Sequence, residues 1–402
     1  MQRKLSQTFT RFFNSEKFSG ILLIACTATS LAVANSALGG QYADFWHAYV
    51  GGMSIEHWIN DALMAIFFLM IGLELERELY NGELSNPRNA ILPIVAALGG
   101  IVVPAAIYLA MNAEPPARAG FGIPMATDIA FALGVLALLG KRVPASLKVF
   151  LTALAVMDDL AAIIIIAVVY TAEFSAEYLA AAMLVFGLLV ALNRFGRVRA
   201  LTPYLLGGVA MWYFMLQSGV HATIAGVLLA FAIPYSRTED DSASPSHRLE
   251  HMLHRPVAFL ILPLFALCNT GVVLQTGWAE TLASASSLGV IIGLLVGKPL
   301  GITAASLGAV AAGLCRLPLD LSWRHVLGAG LLGGIGFTMS IFITNLAFVE
   351  TPEAIGPLKI AILLGSLSAG TLGFLWLSMF GGPTFQDTDP NTMDYYPPAA
   401  AS

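Results

Sequence analysis

Apolar residues do not alternate along this chain; they run in blocks. From Phe18 to Phe380, twelve largely apolar stretches follow one another over 18–38, 58–80, 91–112, 121–140, 146–170, 177–193, 202–216, 220–235, 256–275, 286–312, 325–348 and 357–380. A helix of about 20 such residues crosses the hydrocarbon of a bilayer while satisfying every backbone polar group internally. The pattern predicts an all-α polytopic membrane protein with about twelve transmembrane helices. No polar stretch between runs is long enough for a soluble domain, so 1–381 is expected to form a single transmembrane domain, led by a basic segment, 1–17. The tail, 382–402, carries Asp387, Asp389, Pro390 and a closing run of prolines and alanines, and is expected to be disordered.

Composition agrees. The chain is 57% apolar and 11% charged, against about 25% charged in soluble domains. With 25 acids and 20 bases the charges are too sparse for a surface field, and no nucleic-acid partner is expected. Their placement is more telling, because cytoplasmic loops collect Lys and Arg. With the amino terminus inside, 17 of the 20 bases fall on the cytoplasmic side; Arg118 and Lys359 fall outside and Lys298 on neither. That predicts a multi-pass inner-membrane chain with both termini in the cytoplasm. A cleaved signal peptide is the competing reading of the start, but the first apolar run exceeds the 7 to 15 residues such peptides use. Cys26, Cys268 and Cys315 have neither pairing nor metal spacing and read as packing residues.

Four ionisable residues lie where lipid should be. Asp158 and Asp159 sit at the middle of run five, Lys298 near the middle of run ten and Asp128 in run four. The mid-run positions lie about 18 Å from either helix end, beyond snorkelling reach. A central charge costs about 3 kcal/mol, so four facing lipid would cost on the order of 10 kcal/mol; they must face one another or water. A structural salt bridge would account for one aspartate with Lys298. It leaves the second aspartate and Asp128 unneutralised, and an excess carboxylate in an apolar cavity is what a small cation needs. Neighbours on a helix point about 100° apart, so one aspartate can hold Lys298 while the other faces a cavity. Hard oxygen ligands suit sodium rather than a transition metal. Protons compete for the same carboxylate, and a site that crosses only when occupied turns competition into exchange.

Two runs are expected to break. Gly120 to Gly134 reads GFGIPMATDIAFALG, with Pro124 in mid-run followed by Thr127 and Asp128. Proline removes a donor and biases its predecessor to extended backbone, and Thr or Asp then caps a new helix start. Run eleven carries GGIGFTMS, Gly333 to Ser340; close helix packing is the alternative use of its glycines. Runs four and eleven cross in opposite directions, which predicts inverted repeats with two interrupted, crossing helices, an arrangement of secondary transporters.

The strings ATDIAFALG (126–134), LAVMDDLAAIIIIA (154–167), GVHATIAG (219–226), LPLFALCNTGV (262–272), GKPLGI (297–302) and GGIGFTMSIFI (333–343) resemble the bacterial NhaA-type sodium/proton antiporters over nearly the whole chain. The resemblance implies electrogenic export of Na+ or Li+ against entering protons, activated at alkaline pH, serving sodium extrusion and pH homeostasis, with no cofactor beyond the transported ions. It implies Asp159 as primary ion ligand, Asp158 as partner of Lys298, and Thr127 with Asp128 as capping and cation-site pair. For a pH sensor at the cytoplasmic mouth it points to Glu74, Arg77 and Glu78, which share a helix face, and to Glu250, His251 and His254. A solvated ion-paired helix end is the plainer reading of these. A homodimer through the outer loop between Leu38 and His57 is also implied. His221 reads as structural, and Asp61 as a helix-start or funnel residue.

No enzyme is expected: the Gly-x-Gly-Asp turn of intramembrane aspartyl proteases is missing, and Ser218 near His221 lacks the strained turn of a hydrolase nucleophile. A channel would need carbonyl or charge rings. A sodium-coupled solute symporter is the alternative transporter.

Overall fold

The computed structural model describes residues 2–4, 7–171, 174–236, 244–274, 277–382 and 392–394. These residues are mostly helical. In chain order they form α1 (Gln7–Ala34), α2 (Gly39–His47), α3 (Ile55–Tyr80), α4 (Pro87–Met111), a 3-10 helix (Ala117–Met125), α5 (Ile129–Leu139), α6 (Ala145–Val169), α7 (Ala176–Arg194) and α8 (Leu201–Gln217). There follow α9 (Ile224–Ala232), α10 (Pro245–Asn269), α11 (Ala285–Ala311), α12 (Trp323–Gly333), α13 (Phe337–Ala347) and α14 (Ile355–Phe380). Among the described residues, eight helices are long and apolar enough to span a membrane, or ten if each of two bent pairs is one span. The other two apolar runs, 202–216 and 220–235, hold α8 and α9, of 17 and 9 residues. This is a polytopic all-α membrane protein.

The bent pairs are α1 with α2, at 114°, and α12 with α13, at 46°. The segment expected as an outer loop, 38–57, is thus partly ordered: α2 is followed by a hairpin pairing Tyr49–Val50 with Met53–Ser54. The expected disordered tail lies outside the described residues, apart from Gly382 and a short strand, Thr392–Asp394.

The chain divides into two compact units, one of 1–24, 86–162 and 274–402 and another of 25–85 and 163–273. In the first, α11 lies along α4. Gly293, Gly297 and Gly301 recur every four residues, so they share one face of α11, and that face meets Pro104 and Gly99 of α4. A Cβ on Gly301 would collide with the Gly99 carbonyl. Small residues at this spacing let helix backbones approach closely in a membrane, where van der Waals contact rather than water exclusion drives association. In the second unit α9 packs on α3, with Gly226 against the Ala65 backbone and Gly72 against Ala230.

Proline also shapes the helices from within. Pro299 cannot donate to the carbonyl four residues back, and the turn before it, Gly293–Gly297, opens to π spacing. Pro263 has the same relation to the π turn Val257–Ile261. A π turn rotates the helix beyond it; in α11 the next residue is Lys298.

Candidate functional site

Every member of the membrane-buried charge cluster falls in the first unit. The chain from Ala126 to Asp128 is not helical: Ala126 and Asp128 are extended, with ψ of 146° and 100°. The expected break is therefore present, but its first half is a 3-10 helix, not an α-helix. The glycines and Pro124 of Gly120–Pro124 deny that half the regular four-residue ladder. Asp128 caps α5, its Oδ1 accepting from the Phe131 amide at 3.0 Å.

The break between α12 and α13 lies against this one. Asp128 N–H donates to the Ile335 carbonyl at 2.6 Å. Asp128 Oδ2 accepts from the Thr338 amide at 3.0 Å and from the Thr338 hydroxyl. One carboxylate thus receives amides from the first turns of two helices, α5 and α13, and stands at the positive ends of both dipoles. Ser340 adds a bond from Oγ to the Ile123 carbonyl at 2.7 Å.

Helix α6 brings Asp158, and α11 brings Lys298. Lys298 Nζ lies 2.8 Å from Asp158 Oδ2, and both side chains are fully buried. The same ammonium donates to the Met125 carbonyl, at the open carbonyl end of the 3-10 helix. Thr127 Oγ1 is 2.6 Å from Asp158 Oδ2 and 2.8 Å from the Gly333 carbonyl. Its single proton serves one of these acceptors at a time. Asp159 is completely buried, and its carboxyl acts electrostatically on Lys298. Asp128 stands at two helix ends and Asp158 on Lys298, and with Asp159 beside them the carboxyl groups outnumber the ammonium three to one.

The second cluster belongs to the second unit. Arg77 Nη1 meets Glu250 Oε1 at 2.5 Å, and Nη2 stands 3.4 Å from both Glu74 and Glu78. One guanidinium thus serves three carboxylates. Glu74 is 3% exposed, so a solvated helix end does not describe it. His254 lies in the field of His251 and Arg77, and His251 is itself exposed. Glu76, outside the expected face, accepts from Ser246 at 3.2 Å. His221 bonds the Tyr170 carbonyl at 2.9 Å through Nε2, consistent with a structural role. The Asp61 carbonyl accepts from the Trp212 indole at 3.2 Å.

Thr338, the Met125 and Gly333 carbonyls, and Glu76 are the participants that sequence reasoning missed. Thr338 follows the glycine break as Thr127 follows Pro124, a signal that was available. Backbone carbonyls carry none.

Residues 10–377 match the family described as Na+/H+ antiporter 1. The chain belongs to that family. It is 68% identical over 379 residues to the Na(+)/H(+) antiporter NhaA of Dechloromonas aromatica, covering 94% of this chain and 97% of that one. It is 58% identical over 374 residues to the NhaA antiporter of Flavobacterium psychrophilum, covering 93% and 96%. Its fold resembles the sodium proton antiporter MjNhaP1 from Methanocaldococcus jannaschii, with a TM-score of 0.53 at 14% identity and 90% of each chain covered. The family is one of transporters, not enzymes.

Proposed function

We propose that the chain exchanges cytoplasmic sodium or lithium for external protons at Asp158 and Asp159, between the crossed breaks of α5 and α12–α13. The observation that carries this is the buried Asp158–Lys298 pair with Asp159 beside it. A dry ion pair alone would be a costly tie, but an adjoining carboxylate gives a cation or a proton a place to neutralise the excess charge. Carboxylate, the Thr127 hydroxyl and the Gly333 carbonyl are hard oxygen donors suited to an alkali cation. Thr127 and Asp128 hold the breaks together, and Lys298 covers the exposed carbonyl end at Met125. Exchange follows if the site turns across the membrane only when loaded.

Electrogenic exchange and activation at alkaline pH belong to the same proposal, with Glu74, Arg77, Glu78, Glu250, His251 and His254 as the sensing group. The balance of one guanidinium against three carboxylates supports it, because protonation changes that balance directly. The bias of Lys and Arg supports an inner-membrane location with both termini cytoplasmic. The hairpin, whose first strand holds Tyr49 at 80% exposure, supports a homodimer through the 38–57 segment.

The test is proton movement in inside-out vesicles energised to an acid interior. Sodium should collapse the gradient with the native chain and fail to do so with Asp159→Asn; collapse in the variant would remove Asp159 from its role.

A further inference from the structure

Helix α12 begins with an unusual cap. Ser322 is its N-cap, and His325, three residues on, reaches back so that the Ser322 amide donates to His325 Nδ1 at 2.9 Å. The Ser322 hydroxyl also lies 3.0 Å from Nδ1. In a capping box this reciprocal bond is normally made by Glu or Gln, which keep an acceptor at every pH near neutral. Imidazole does not. A backbone N–H can only donate, so Nδ1 must be unprotonated while the bond exists.

The surroundings give the protonated ring another partner. His325 is 1% exposed and Asp320 is equally buried, and the Asp320 charge acts on the imidazole. Asp320 Oδ2 accepts, at 3.4 Å, from the amide of Ser146 in the first turn of α6. The Gly381–Gly382 backbone also meets the ring. An imidazolium therefore loses Ser322 and is drawn to the carboxylate that holds α6.

Both helices lead to the ion site. Gly333, whose carbonyl meets Thr127, is the last residue of α12, about 16 Å along its axis, and α6 carries Asp158 and Asp159.

We propose that the His325–Ser322 capping box is a proton-sensitive clasp on α12, closed when His325 is neutral and opened by its protonation, which also draws on the Asp320 hold on α6. The clasp separates from the glutamate cluster around Arg77 in both sequence and chemistry, and it works in the same sense, favouring the ordered site at alkaline pH. Its effect on exchange rests on the function proposed above, while its effect on helix stability does not.

The experiment compares the native chain, His325→Gln and His325→Ala between about pH 4 and about pH 9, a range that reaches below the ordinary histidine titration because burial disfavours the charged ring. Two quantities are read: sodium-driven proton movement in reconstituted vesicles, and the thermal unfolding midpoint in detergent. Glutamine keeps the N3 acceptor and removes the titration. His325→Gln should match the native chain at the alkaline end and keep its activity and midpoint to lower pH, moving the acid limb down by at least half a unit. His325→Ala should have a lower midpoint at every pH. Superimposable native and His325→Gln profiles in both readouts overturn the clasp. If neither the native chain nor either variant exchanges ions, the exchange reading fails, and the midpoints alone decide the clasp by the same criterion.

Discussion

Lys298 is bonded to Asp158 and to the Met125 carbonyl at once, so a single ammonium closes both an ion pair and the open end of a broken helix. Removing it leaves a buried carboxylate and an unsatisfied carbonyl. Lys298→Ala should cost about 3 to 5 kcal/mol of stability, the usual result of breaking a buried pair from one side. Asp158→Asn combined with Lys298→Gln should recover most of that loss, since neither half of the pair is left buried without its partner. Thermal unfolding in detergent measures both.

Asp128 bonds the first turns of α5 and α13. Asp128→Ala removes both caps, and at about 1 kcal/mol for each the loss should approach 2 kcal/mol. Asp128→Asn keeps one acceptor oxygen and should lose roughly half as much. Equal stability of the two variants would mean that the carboxylate does not staple the breaks.

The contact of α11 with α4 is tested by glycine. Gly301→Ala places a methyl against the Gly99 carbonyl and should destabilise by about 1 to 3 kcal/mol, as overpacking does. Gly308→Ala on the same helix meets nothing within 4 Å and should be neutral, or stabilising by up to about 1 kcal/mol through helix propensity. Yield and unfolding temperature of the two variants give the comparison.

In the Arg77 cluster the sign depends on pH. Arg77→Gln leaves Glu74, Glu78 and Glu250 facing one another, and their repulsion exists only when they are ionised. The variant's loss of stability should therefore grow as pH rises, reaching on the order of 2 kcal/mol, and shrink where the carboxyls are protonated. Melting curves over a pH series check it.

Much of this architecture is legible in the sequence because membranes penalise charge so strongly. Asp158, Asp159 and Lys298 stand out from apolar runs, and Pro124 and the Gly333–Gly336 stretch mark where helices break. Which aspartate takes Lys298 is different: the 100° between neighbours allows either, and the family resemblance rather than the spacing points to Asp158. The bond from Thr338 to Asp128 joins segments 210 residues apart, a distance no local pattern encodes. The 3-10 character of Ala117–Met125 hides behind an apolar run that reads as an ordinary span. His325 escapes notice because nothing near it in sequence marks a site; only the folded cap shows what its Nδ1 accepts.

Exchange at this site requires one carboxylate pair to serve protons and sodium by turns. The most direct measurement is proton release when sodium is added to the purified, weakly buffered protein. Sodium should release protons from the native chain, lithium likewise, and Asp159→Asn should release none while remaining folded. Sodium binding without proton release, or undiminished release from Asp159→Asn, would contradict competition at this site.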